Sequence, residues 1–124
     1  EQYSVFELAD CFLNKNQKKV SNILNENNYS NEDCILILRT ILGKLKRLAL
    51  ICELLETNNN IERILTSFKP PIFWKDKENV KKQVRSWNLE ELKNKIYQLN
   101  DIELTLKKNS SISLLVTSDF LLNI

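Results

Sequence analysis

The chain has 124 residues, 43% of them apolar and 27% charged, and a formal net charge of +2. This length fits one domain with a real core but not two. Its single glycine and two prolines predict an all-α fold, because β-rich folds need many turn residues with positive φ. The lack of histidine removes the commonest general base and metal ligand, and one glycine excludes a glycine-rich phosphate loop.

The remaining polar residues suggest no catalytic chemistry. Cys11, Cys34 and Cys52 lie far apart within apolar segments, so we expect buried thiols in a reducing cytosol rather than disulfides or zinc ligands. The carboxylates around Glu91 and Glu103 fit helix capping and surface pairing better than acid–base catalysis. No apolar run exceeds five residues. We therefore expect a cytoplasmic, non-catalytic chain with no cofactor, metal or membrane span. Because the chain lacks methionine, we also expect it to be a fragment of a longer protein.

The first residues predict two short helices. Ser4 and Glu7 have the spacing of a capping box, which predicts a helix over residues 5–12. After an interruption at residues 14–16, apolar positions recur at helical spacing and predict a second helix over residues 17–27. The asparagine-rich stretch that follows is typical of a connection.

A third, much longer helix is predicted from Ser30 to about Glu56. Ser30 is a good N-cap, and two acids follow in the first turn. The first half is apolar nearly all round, so we expect this helix to be the buried central post. Gly43 within it is expected to be a point of close packing. The predicted core residues of this helix are Leu38, Leu42, Leu45 and Leu48.

Residues 67–87 contain both prolines and both tryptophans. A short helix capped by Asn60 precedes them. Pro70 and Pro71 end the helical pattern, and helical spacing resumes at Lys75, so we interpret this segment as a joint between two helical subdomains. From composition alone, Phe73 and Trp74 fit core anchors better than a nucleic-acid stacking platform.

The last third predicts one long helix and a final short segment. Asn88 and Glu91 have capping-box spacing and begin a helix that extends from Leu89 to about Lys108. Its core seam includes Leu92, Ile96 and Leu99, and an ion pair from Glu103 to Lys107 is expected on its surface. Residues 112–116 alternate in polarity, so a strand is the alternative to the favoured helix. Together, the predicted elements indicate an all-α, single-domain bundle of about seven helices.

The positive charge is concentrated in two places. Between Lys69 and Lys95 the sequence has eight basic and four acidic residues, so this segment carries +4 and the rest of the chain −2. A second cluster contains Arg39, Lys44, Lys46 and Arg47. Such runs are usually solvated helix faces; the alternative is an anionic partner, most plausibly nucleic acid.

Three stretches together resemble a known family. They are FELADCFLNKNQKKVSNILNE (residues 6–26), ILILRTILGKLKRLALICELL (35–55) and SFKPPIFWKDKENVKKQVRSWNLEELKNKIYQLNDIELTLKK (67–108). Their order resembles the C-terminal domain of the delta subunit of the bacterial DNA polymerase III clamp loader, over nearly the whole chain. The shared pattern is a long Leu/Arg/Lys-rich helix, a Pro–Pro–aromatic break and a late helix that ends in an acidic–x–x–x–Lys step.

The resemblance implies a helical collar domain, of the post-AAA+ oligomerisation type, over residues 1–124. Such a domain joins delta prime and gamma/tau-type subunits in a pentameric collar, so that the sliding clamp is loaded on primed DNA during replication. The delta subunit does not itself hydrolyse ATP, and it contacts the clamp only through an N-terminal part that this chain lacks. The alternative, from another class, is a free-standing helical nucleic-acid-binding domain that uses the basic face from Lys69 to Lys95.

The resemblance also implies which residues face DNA. In the family, the loop after the proline break and the loop after the late helix face the primer–template junction. In this sequence the implied DNA-facing residues are Phe73, Trp74, Lys75, Lys77, Lys107 and Lys108. Ser110 stands where some members have an aromatic residue, so the second loop has no side chain with which to stack a base.

Overall fold

The computed structural model describes residues 2–123, with side chains from residue 4 onward. Within this part the chain forms seven α-helices, two 3-10 turns and no strand. The helices are α1 (Gln2–Leu13), α2 (Gln17–Glu26), α3 (Asn31–Thr57), α4 (Ile61–Ser67), α5 (Lys77–Ser86), α6 (Leu89–Lys108) and α7 (Ser113–Leu122); the 3-10 turns are Trp74–Asp76 and Ser110–Ile112. The predicted all-α bundle is confirmed, and residues 113–116 are helical rather than extended.

Helix α3 is the central element, with a length of about 40 Å at a rise of about 1.5 Å per residue. It packs against α1, α4, α5, α6 and α7. Its buried residues recur at spacings of three and four: Cys34, Ile37, Leu38, Ile41, Leu45, Leu48 and Ile51. The opposite face is in solvent, since Leu36 is 37% and Leu50 46% exposed. The prediction of a post buried on most sides therefore holds for only part of the helix surface.

Gly43 lies on this solvent face, where a Cβ atom would meet nothing within 4 Å. The expected close packing at Gly43 is therefore wrong. No neighbouring helix covers the face on which it stands.

The predicted core positions differ in depth. Leu45, Leu48 and Leu92 are fully buried, while Leu38 and Leu99 are 7% and 3% exposed. The other two, Leu42 and Ile96, are half-buried and pack against the core from its edge. One apolar cluster extends from α1 to α7, so the proline segment is a bend within one core rather than a joint between two subdomains.

Side-chain caps define several helix starts. Ser30 accepts from the Asp33 backbone N–H at 3.1 Å and Asn88 from that of Glu91 at 2.8 Å, and both form complete capping boxes. Asn60 accepts from the Arg63 N–H and caps α4. Ser4 is not a cap, because the backbone is already helical from Gln2; its hydroxyl instead accepts from Tyr29.

The turn between α1 and α2 ends α1 in a Schellman arrangement. The Asn16 N–H donates to the Cys11 carbonyl at 2.9 Å, and the Lys15 N–H donates to the Phe12 carbonyl at 3.0 Å. Lys15 has φ 59°, a left-handed conformation that costs a non-glycine residue about 1 kcal/mol. Its side chain compensates through distant contacts: Nζ donates to the Ser86 carbonyl at 2.8 Å and lies 4.4 Å from the centre of the Trp87 ring.

Candidate nucleic-acid interface

The segment between α4 and the first 3-10 turn is held by two apolar side chains. Phe68 and Ile72 are only 7% and 6% exposed, and the Lys69–Pro70 peptide bond between them is cis. In extended backbone, neighbouring side chains point to opposite sides. With Ile72 buried, Phe73 therefore points outward.

Phe73 and Trp74 form an exposed aromatic pair. Their side chains are 57% and 70% exposed, and the ring centroids are 6.0 Å apart at an interplanar angle of 53°. The Lys75 ammonium lies 5.4 Å from the centre of the Trp74 ring. The expectation from composition that both aromatic residues are core anchors is therefore wrong, and Ile72 alone of the three apolar residues has that role.

Lys77 is half-buried and begins α5, directly after the turn that carries Trp74. The Asp76 N–H donates to the Phe73 carbonyl at 2.8 Å and closes this turn. In the first predicted DNA-facing group, two exposed aromatic rings thus stand beside the Lys75 amine, and Lys77 follows directly in the chain.

The second predicted group lies at the end of α6. Lys107 and Lys108 are exposed in its last turn, and Asn109 caps the following 3-10 turn by accepting from the Ser111 N–H at 3.2 Å. No ion pair forms between Glu103 and Lys107, so that expectation is wrong. Both side chains border a small apolar groove between α3 and α6. The attraction between two exposed charges is too weak to offset the entropy that two flexible side chains lose when they pair.

No hydrogen bond, ion pair or ring contact joins the two predicted DNA-facing groups among the described residues. Lys107 of the second group lies near Arg39, which the sequence placed only in a second basic cluster. Arg39 lines the small groove with Lys107 on one side and a wider groove with Lys69 on the other. The sequence shows the spacing of the basic residues along α3, but it does not show which other segments of the chain lie beside them.

Fewer cations of the basic segment from Lys69 to Lys95 are free to bind an anionic partner than its charge indicates. Lys81 is largely covered and forms ion pairs with Glu62 and with Glu78, the latter at 3.1 Å. Lys95 is half-buried: its Nζ donates to the Asn123 carbonyl at 2.5 Å, and burial lowers its pKa. Within this segment, the exposed cations on α5 and α6 are Lys82, Arg85 and Lys93.

The described residues contain no constellation for catalysis. Burial raises the pKa of the Cys11, Cys34 and Cys52 thiols, which keeps them protonated and weakly nucleophilic at neutral pH. No group of three or more Cys, Asp or Glu side chains from residue 4 to residue 123 has the geometry of a metal site. In the same part of the chain, no helix is long and apolar enough to cross a bilayer.

Comparison with protein families identifies a match. The profile of the family described as DNA polymerase III delta subunit, C-terminal domain, matches residues 2–124, which is nearly the whole chain. No curated protein and no solved structure matches significantly. The chain therefore belongs to the family of C-terminal domains of the DNA polymerase III delta subunit, a structural domain of the clamp loader.

Proposed function

We propose that this domain is a non-catalytic assembly module of the clamp loader that also presents an aromatic platform to primed DNA. It joins delta prime and gamma/tau-type subunits in a pentameric collar, and the sliding clamp is loaded on primed DNA by that assembly. The observation that supports DNA contact most directly is the pair of exposed rings at Phe73 and Trp74 beside the Lys75 ammonium.

The platform suits an unpaired or terminal base. Stacking of a base on an aromatic side chain contributes about 1–3 kcal/mol and tolerates any sequence. Lys75 and Lys77 stand on the same turn and supply charge for the adjoining phosphates. Anchoring by Ile72 beneath the turn fixes the aromatic pair before a base arrives, which lowers the entropic cost of binding.

Exposed apolar residues elsewhere support assembly with partner subunits. On α6, Tyr97 and Leu104 are 64% and 59% exposed, and their separation of two helical turns places them on the same face. At the start of α7, Leu115 is 71% exposed. Large apolar side chains grouped on helix faces are typical of protein–protein contacts, and helical neighbours in a collar are suitable partners for them.

The test of DNA contact uses the full delta subunit assembled with its partner subunits. Trp74→Ala should leave the thermal melt and the assembly unchanged, but weaken binding to a fluorescent primer–template by about tenfold or more. Phe6→Ala is the matched control, because Phe6 is an exposed aromatic residue on α1 and lies outside both proposed contact surfaces. If the DNA affinity of Trp74→Ala is unchanged, the aromatic pair does not contact DNA and this part of the proposal is wrong.

The test of collar assembly uses Leu104→Asp and Leu115→Asp in the same subunit. Both sites are exposed, so the fold should persist while co-purification of the partner subunits falls. Phe6→Asp on α1, at a site that is 51% exposed, serves as the control for adding an acid to exposed apolar surface. Full assembly of both variants would contradict this placement of the interface.

The alternative, an independent nucleic-acid-binding domain, is favoured by the exposed cations Lys82, Arg85 and Lys93, which form no ion pair among the described residues. It predicts that the 124-residue chain alone binds DNA with a steep salt dependence. Lys82→Glu with Arg85→Glu should then abolish binding. Lys81 is unsuitable for this test, because its reversal would break ion pairs with Glu62 and Glu78.

A further inference from the structure

The solvent face of α3 forms one wall of a groove, and the segment after α4 forms the other. The groove has a volume of about 520 Å³ and no acidic residue in its lining. Five cations line it: Arg39, Lys44, Lys46, Arg47 and Lys69. Lys44 is paired with Asp10 at 3.5 Å, whereas the other four form no ion pair among the described residues. We call this feature the α3 groove.

Two further observations indicate that the α3 groove is suited to a ligand. The Nε atom of Arg47 is buried and has no hydrogen-bond partner among the described residues, although buried polar groups are nearly always paired. At Gly43 the backbone is open to the groove, since a Cβ atom there would meet nothing within 4 Å. The groove thus combines unmatched positive charge with space beside the helix.

The floor of the α3 groove is apolar. Leu50, which is 46% exposed, lines it together with Phe68 and Pro70. A nucleic-acid backbone would pair with the cations but leave Leu50 without a partner. Base stacking needs an exposed ring, and Phe68 is only 7% exposed.

We infer that the α3 groove binds an acidic peptide segment of a partner protein, one that carries an apolar side chain next to its carboxylates. Arg39 and Lys46 are seven residues apart, about 10 Å along α3. An extended peptide covers that distance in about three residues. Carboxylates at positions i and i+4 lie on one face of an extended peptide, and the long side chains of Arg39 and Lys46 cover the remaining difference of about 3 Å. An apolar side chain at position i+6 lies on the same face and reaches Leu50, which is about 6 Å beyond Lys46 along α3. This goes beyond the collar role, and it does not depend on it.

The test measures binding of a fluorescein-labelled, amidated peptide, Phe-Ile-Asp-Asp-Glu-Asp-Asp, to the full chain by fluorescence anisotropy at physiological salt. Lys46→Glu should weaken binding by about tenfold or more, since it turns an attraction into a repulsion. Leu50→Ser, which leaves the charge unchanged, should weaken it by about fivefold. Lys18→Glu on α2 is the matched control for charge reversal at an exposed lysine and should change affinity less than twofold. Circular dichroism melts check that each variant is folded.

A second peptide has serine in place of isoleucine and phenylalanine. It distinguishes binding that needs the apolar contact from binding of any anion by charge alone. Weaker binding of this peptide by about tenfold supports the inference. Equal binding of the two peptides overturns it, as does efficient competition by oligothymidylate, which would identify a phosphate-binding surface. Absence of measurable peptide binding at high micromolar concentration also overturns it.

Discussion

The indole N–H of Trp87 donates a buried hydrogen bond of 2.8 Å to the backbone carbonyl of Leu13, 74 positions earlier in the chain. That carbonyl lies at the C-terminal end of α1, where no helical partner is available. The indole thus supplies the missing donor and fixes the boundary between α5 and α6 against the first helix. The Trp87 ring also lies 6.0 Å from that of Phe12.

Trp87→Phe should lower the free energy of unfolding by about 1–3 kcal/mol, because the Leu13 carbonyl would be left buried without a donor. Urea denaturation monitored by circular dichroism measures this change. Trp74→Phe is the control, since that ring is 70% exposed and the substitution should shift stability by less than about 0.5 kcal/mol. Equal effects at the two tryptophans would contradict the assigned role of the indole.

Leu45→Ala should lower the free energy of unfolding by about 2–5 kcal/mol, since Leu45 is fully buried on α3 and its truncation leaves a cavity. The same urea titration applies. Leu50→Ala removes the same atoms from the solvent face of the same helix and should cost less than about 1 kcal/mol. A small effect at Leu45 would show that α3 is not the centre of the core.

Gly43→Ala should raise the free energy of unfolding by about 0.5–1 kcal/mol. Alanine loses less backbone entropy than glycine in a helix, and the added Cβ meets nothing within 4 Å. The thermal midpoint should rise by about 3 °C for a chain of this size. A lower midpoint would mean that Gly43 is packed closely after all.

Cys34→Ala should flatten the dependence of stability on alkaline pH. Burial raises the Cys34 pKa above its ordinary value of 9.0. As pH rises through about 9, the unfolded chain therefore loses this proton while the folded chain keeps it, and stability falls. Without the thiol, part of that loss disappears, although the variant is less stable overall.

Urea midpoints between about pH 8 and pH 10 test this prediction for the wild type and the Cys34→Ala variant. Cys11 and Cys52 also have a raised pKa because of burial, so the wild-type decline contains their contributions and is only reduced in the variant. Parallel curves for the two proteins would show that Cys34 titrates normally in the folded state.

Local sequence signals predicted the helices well. Ser30, Asn60 and Asn88 are N-caps as expected, because a short polar side chain followed by an unpaired N–H determines a helix start within a few residues. The Ser4 prediction failed because helical backbone begins before it. Periodicity alone could not reveal this, since a capping pair also fits inside a helix.

The candidate site was less predictable, because exposure depends on distant contacts. Composition could not show that Ile72 points inward and Trp74 outward; that depends on which side of the bend meets the core. Nor could it show that Arg39 lines one groove with Lys69 and another with Lys107. The resemblance to the family, rather than the residue pattern, directed attention to the exposed aromatic pair.

Position 15 has two requirements that favour different residues: a left-handed backbone conformation and a long cationic side chain. Glycine would adopt the positive φ angle without strain, but it has no side chain to contact the Ser86 carbonyl and the Trp87 ring. The lysine therefore joins the turn between α1 and α2 to the boundary between α5 and α6, 71 positions later in the chain. Loss of the Lys15 side chain is expected to loosen both places, the turn at the end of α1 and the start of α6.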